Sequence, residues 1–177
     1  MPFYKNKALK ITCIVSLIMI CFVYHHYLNT DTKQIKFGTT YMTMNNPYFV
    51  NMDENIEESV QAKGDILITR DPLQDQKKQN EQIKDMINEG IDVLFLQPVD
   101  RNKVRPALEL CKKKHIPVFV IDSEVSDTEA VVSTIVSDNY DAGVQCAKDM
   151  MKKKTSANII IVNQKALNSI NERVKGF

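Results

Sequence analysis

A parallel, doubly wound α/β sheet is the fold this sequence predicts, and two observations carry it. Six apolar, β-branched runs alternate, for the most part, with amphipathic stretches of helical period. The first four runs begin at residues 35, 65, 92 and 117. A repeat of roughly 25 to 30 residues is the size of a βαβ unit, and strands joined in that way lie parallel.

The N-terminal segment stands apart. Met1 to Lys10 is basic, and Ile11–Tyr24 (ITCIVSLIMICFVY) is free of charge, which is the order of an export signal. Its fourteen residues span about 21 Å as a helix, short of the ~30 Å hydrocarbon core, and extension to Leu28 gives about 27 Å. The segment is read as a membrane anchor through residues 11–28 or as a cleaved signal; Ile18-Met19-Ile20-Cys21 faintly matches a lipoprotein box. Lys5, Lys7 and Lys10 hold the N-terminus on the cytoplasmic side, so the remainder is expected outside. His25 and His26 are read as interfacial or solvated. A polar linker, Asn29–Gln34, closes this first region, residues 1–34.

The elements of the sheet follow in order. Ile35–Tyr41 is the first strand. Asn46 caps the next helix with Pro47 at its first position, and Phe49, Met52, Ile56 and Val60 recur at helical spacing. Asp53, Glu54, Glu57 and Glu58 are expected mainly on that helix's solvent face. Gly64 separates it from the strand Asp65–Thr69. Ile83, Met86 and Ile87 mark the next helix, and Gly90 precedes the strand Asp92–Gln97. Pro106 fits the first turn of the following helix. The lysine runs 112–114 and 152–154 end helices, where cations suit the helix dipole. Strands are predicted at Pro117–Ile121, Val131–Val136 and Asn158–Val162.

Composition narrows the function. The chain has 44% hydrophobic residues and carries 23 Lys and Arg against 22 Asp and Glu. Three lysines lie in the first thirty positions, which leaves 20 basic against 22 acidic residues beyond them. That balance gives no basic face for a nucleic acid. No GxGxxG follows the first strand, and GxxxxGK[ST], GxSxG and HExxH are missing. No cofactor, metal or catalytic residue is expected. The four cysteines lack CxxC spacing; Cys111 and Cys146 fall at apolar helical positions and are read as core, not as a disulfide. His115 has no nucleophile near it in sequence.

In open parallel sheets, ligands bind beyond the carboxyl ends of the strands. Those ends carry Met44-Asn45-Asn46-Pro47-Tyr48-Phe49, then Asp71, then Gln97-Pro98-Val99-Asp100, then Asp122-Ser123. Amides, carboxylates and aromatic faces are the groups that hold a polyol. Asn46 reads both as cap and as ligand contact, Tyr48 and Phe49 as core or as ligand lining. Asp71 reads as a turn residue before Pro72 and Asp100 as a cap. Asp122, at the end of an apolar strand, is the strongest ligand candidate.

Asn45-Asn46-Pro47-Tyr48-Phe49 resembles the corresponding segment of the ribose/galactose group of periplasmic substrate-binding proteins of ABC transporters. The likeness continues through Gln79-Asn80-Glu81-Gln82-Ile83, Ile91–Asp100, Ile116–Asp122, Ser137-Asp138-Asn139 with Gly143, and Arg173–Phe177. It implies a type I lobe at residues 35–136 and the start of a second lobe at 137–177. About a hundred further residues would complete that second lobe, so the sequence reads as an N-terminal portion from a truncated frame, a partial gene model or a decayed copy. The resemblance implies that Asn46 hydrogen-bonds a sugar and that Tyr48 and Phe49 line its apolar side. Asp122 then clamps hydroxyls and Arg173 reaches in from the second lobe. Ser123 stands where the ribose receptor has an arginine, which removes the warrant for ribose itself; another pentose, a hexose or an inositol fits as well. The implied role is non-enzymatic: an extracytoplasmic sugar-binding protein delivering to an ABC permease, or alternatively a sensory ectodomain passing sugar occupancy to a membrane kinase or chemoreceptor. An effector domain of a DNA-binding repressor requires a helix-turn-helix where Ile11–Tyr24 lies, and the apolar run argues strongly against it.

Overall fold

The computed structural model describes residues 3–28, 33–153 and 156–177. Residues up to Lys33 form one unit and Gln34–Phe177 a second. The first is helix α1 (Phe3–Leu28), whose side chains from Leu9 to Tyr24 are all exposed. It has no polar face, yet no helix among the described residues is long and apolar enough to cross a membrane. The expected span through residues 11–28 therefore has no support in the fold. His25, His26 and most of the Asn29–Gln34 linker lie outside the residues whose side chains are described.

The second unit is built on five parallel strands. They are β1 (Lys36–Thr40), β2 (Ile66–Arg70), β3 (Val93–Leu96), β4 (Val118–Ile121) and β5 (Val131–Ile135), in the order β2-β1-β3-β4-β5. Helices α2 (Pro47–Gln61), α3 (Gln76–Asn88) and α4 (Arg105–Lys113) make the crossovers, and α5 (Asn139–Lys153) and α6 (Asn168–Gly176) follow the sheet. A nine-residue connection without a helix joins β4 to β5. The chain reverses its direction across the sheet after β2, so β1 and β3 flank a switch point.

Strand alternation sorts the two faces. Leu94, Leu96, Val118 and Val120 point one way, into a core with Ile83, Met86 and Ile87 of α3 and with Ala107, Leu108 and Cys111 of α4. Burial holds the Cys111 thiol up at about 12, so it stays protonated and inert. Phe37, Phe95 and Phe119 point the other way, with ring centroids 5.9 and 5.8 Å apart. On that face Tyr41, Phe49 and Ile121 pack with Met52 and Ile56 of α2.

Local signals act as the sequence predicts. Asn46 caps α2 by accepting the Tyr48 N–H at 3.0 Å, Pro47 opens the helix, and Pro106 sits in the first turn of α4. Gly64 and Gly90 take φ of +78° and +82° between helix and strand. Three expectations fail. Asp53 is buried, because it falls in phase with Phe49, Ile56 and Val60 on the inner face of α2. Cys146 is exposed, since its side of α5 opens into a cavity of about 540 Å³. Asn158–Val162 joins no sheet, and Ile160 and Val162 are more than nine-tenths exposed. A strand needs a paired neighbour for its backbone groups, and this segment pairs with no strand among the described residues.

Helices α5 and α6 meet backbone to backbone. A side chain at Gly143 would collide with the Arg173 carbonyl oxygen and lie 2.9 Å from the Phe177 amide nitrogen. Gly143→Ala is therefore expected to push α6 away from α5. Amide hydrogen exchange reads the effect as lost protection in α6 with the β1–β4 amides unchanged; unchanged α6 protection would show that the close approach is not required.

Candidate ligand-binding site

The carboxyl ends of β1, β3 and β4 are joined by side-chain amides, and this positions the predicted site residues. Gln97 follows β3 and is wholly buried. Its Oε1 accepts the Met42 N–H at 2.6 Å and its Nε2 approaches Asp122 Oδ2 at 3.5 Å. Gln79, on α3 and equally buried, accepts the Val99 N–H and donates to the Gln97 carbonyl at 2.9 Å and the Thr40 hydroxyl at 3.3 Å. Gln76 continues the pattern by accepting the Asp100 N–H at 2.6 Å. Three glutamines thus anchor the loops that carry the site.

Asp122 occupies an unusual backbone. Its φ is +66°, and the Ser123 N–H bonds the Ile121 carbonyl at 2.8 Å across it, closing a three-residue turn. Such turns with positive φ are rare and strained for a residue with a side chain. The Asp122 N–H is taken by the Ile135 carbonyl of β5 at 2.9 Å. Burial pushes the Asp122 carboxyl above its ordinary value, against the smaller opposing effects of the Gln97 amide and the Arg173 charge. Arg173 lies on α6 and donates from Nε to Asn139 Oδ1 at 2.8 Å.

The remaining candidates divide. Phe49 is buried and stacks on Tyr41 at 5.6 Å, while Tyr48 meets it edge-on at 5.3 Å and is half exposed. Asn46 is exposed, with Oδ1 engaged in the cap. Ser123 is fully buried and its Oγ accepts the Ser169 N–H of α6 at 3.4 Å, so it supports α6. Asp71 Oδ1 accepts the Leu73 N–H in a turn, and Asp100 Oδ1 accepts the N–H groups of Asn102 and Lys103. Burial works against the charged form of Asp100, but those two amides and the Lys103 ammonium outweigh it and hold the carboxyl below its usual range.

Next to Ser123, the first residues of α5 and α6 and Glu124 enclose a polar cavity of about 190 Å³. Among the described residues no group of three or more His, Cys, Asp and Glu side chains is arranged to hold a metal. Sequence reasoning missed the anchoring role of Gln79. The signal was its phase: it stands four residues before Ile83, on the stripe that Met86 and Ile87 continue.

Residues 37–177 match the family model of the periplasmic binding protein domain. The ribose import binding protein RbsB of Bacillus subtilis is 30% identical over 117 residues, 66% of this chain and 38% of that protein. A xylitol-binding protein of Mycolicibacterium smegmatis is 24% identical over 148 residues, 84% of this chain and 41% of that one. Among solved structures, an ABC transporter solute binding protein from Mycobacterium smegmatis with bound glycerol superposes with a TM-score of 0.73 at 28% identity. That match covers 81% of this chain and 50% of the solved one. The myo-inositol binding protein of Caulobacter shares the fold, at 20% identity and a TM-score of 0.73, over 82% of this chain and 44% of its own. The chain thus spans half or less of the length of these relatives, and the fold implied by the Asn45–Phe49 resemblance is borne out.

The Asp122 geometry has a consequence for stability. With a carboxyl pKa raised in the folded state, the ionised form is disfavoured there, and the penalty grows as pH rises through that folded value. Below the unfolded pKa of about 3.9 both states are protonated and the penalty vanishes. Asp122→Asn is expected to unfold at higher urea than wild type at pH 7, with the difference closing as pH falls toward 4. A constant difference across that range would refute the assignment.

Proposed function

The chain belongs to the periplasmic binding protein domain family, and from that premise we propose that it recognises a sugar or related polyol as the extracytoplasmic binding component of ABC-transporter uptake. The observation that carries the reading is Asp122, a carboxylate held in a strained turn at a strand end and braced by Gln97. An ionised carboxylate offers only acceptors, and adjacent sugar hydroxyls are donors that reach both of its oxygens. Asn46 supplies an amide, Tyr48 and Phe49 an aromatic wall, and Arg173 a cation from the α6 side. Ribose, xylitol and myo-inositol, named for three of the similar proteins, are neutral polyols of the class this set suits. The mechanism is binding followed by closure of two lobes, with residues 35–136 as the first and 137–177 opening the second. No bond is made or broken. The uncharged run Ile11–Tyr24 of α1 is read as the address that directs the chain out of the cytoplasm.

Titration calorimetry of the chain against pentoses, hexoses, pentitols and inositols tests this reading. Asp122→Ala should weaken the preferred sugar about ten- to a hundred-fold, the worth of a hydrogen bond to a charged group of roughly 1.5–3 kcal/mol. Arg173→Ala should act in the same direction. Glu57→Ala, on the exposed face of α2, should bind as wild type. Because the accepting form of Asp122 is the ionised one, affinity should fall as pH is lowered through its raised pKa. Equal affinity in wild type and Asp122→Ala would remove Asp122 from the site.

A further inference from the structure

Beneath the Asn46–Phe49 turn lies a buried polar cluster that the binding groups themselves do not include. Thr39 of β1 and Thr69 of β2 are register partners on adjacent strands. Their hydroxyls stand 2.8 Å apart on the face covered by α2. Both reach Asp53 of that helix: Thr39 Oγ1 lies 2.9 Å from Oδ1, and Thr69 Oγ1 lies 2.9 and 3.0 Å from the two carboxylate oxygens. Thr39 is wholly buried and Asp53 nearly so. Tyr41, two residues along β1 on the same face, is also wholly buried; its hydroxyl lies beside this carboxylate without hydrogen-bond geometry. Burial first, and then the Asp53 charge, hold the Tyr41 phenol above its ordinary value. The Tyr41 ring supports Phe49 at 5.6 Å.

A helix seated on a sheet by apolar contacts alone can slide or roll with little penalty, because such contacts are non-directional. Two hydroxyl protons aimed at one carboxylate remove that freedom, since the bonds weaken steeply with misalignment. Asp53 is seven residues from Asn46, so a shift of α2 along its axis carries the cap, Tyr48 and Phe49 with it. We infer that Asp53 is a positioning residue: with Thr39 and Thr69 it pins the register of α2 on the sheet and so sets where Asn46, Tyr48 and Phe49 meet the ligand. This rests on the reading of that turn as a ligand contact. It goes beyond that reading in assigning the site's geometry to a group that touches no ligand.

The test uses Asp53→Leu, Asp53→Asn and Thr69→Val in the full chain. Leucine keeps the branched outline, though it is larger than aspartate, and removes the acceptors, while the Thr39 and Thr69 hydroxyls can still bond each other. Asparagine keeps one acceptor oxygen. Amide hydrogen exchange and sugar titration are read together. Asp53→Leu should speed exchange of the Phe49 and Val50 amides, which bond the Asn46 carbonyl, by about tenfold or more. The Gln79 amide of α3 should stay unchanged. Asp53→Asn should recover most of that protection, and Thr69→Val should fall between. Affinity for whichever sugar the wild type binds should drop in the same order. Selective loss at Phe49 and Val50 with rescue by asparagine supports the pin, whether or not a sugar is found, so failure of the sugar reading is seen separately. Wild-type exchange at these amides in Asp53→Leu overturns it. So does an equal rise at Gln79, which would mark general destabilisation, and so does undiminished sugar affinity in a folded Asp53→Leu.

Discussion

The carboxyl end of the sheet depends on two buried glutamines. Loops that leave parallel strands carry backbone groups with no strand to pair with, and a buried group left unpaired costs about 1–3 kcal/mol. Gln97 and Gln79 answer that demand for the Met42 and Val99 amides and for the Gln97 carbonyl. One side-chain amide both donates and accepts, so two residues tie together the ends of β1, β3 and α3. Removing either would leave several partners unmatched at once, and the loops bearing Asn46 and Asp122 would lose their common reference.

The same end of the sheet holds the buried carboxylates, each an unfavourable feature. Asp122 combines positive φ with partial burial of a carboxylate; each opposes folding on its own. Asp53 is a second buried carboxylate, held by two threonine hydroxyls instead of a cation. By contrast the opposite face, from Ile83 to Val120, is apolar and carries no such burden. Buried carboxylates gathered toward one rim, over an apolar core, are a distribution expected where recognition is built on a scaffold.

Much of this was legible beforehand, and for a physical reason. Strand alternation and helical phase are local, so the five strands, the Asn46-Pro47 start of α2 and the glycines at positive φ could be read from neighbours in sequence. What depends on distant partners could not. Asp53 was assigned to solvent because it stands among Glu54, Glu57 and Glu58; its phase with Phe49 and Val60 pointed inward, but its partners Thr39 and Thr69 come from two strands. Asn158–Val162 has strand composition, yet a strand is a relation between segments, and this one pairs with no strand among the described residues. Ser123 follows Asp122 in sequence, but its bond to the Ser169 N–H of α6 depends on a segment 46 residues away.

That turn also explains why Asp122 and Arg173 need not form an ion pair to act together. Arg173 is already engaged with Asn139 at 2.8 Å, and its charge acts on Asp122 without a direct bond. A direct ion pair would satisfy both groups in the empty protein, and a neutral sugar would have to break it. Kept apart, each retains bonding capacity: Asp122 has acceptor lone pairs beyond Gln97, and Arg173 has guanidinium donors beyond the one given to Asn139. Donor and acceptor, each braced by a separate partner, keep bonding capacity that the protein itself does not use. On the proposed reading, a polyol, whose hydroxyls both donate and accept, is the kind of molecule that would use both.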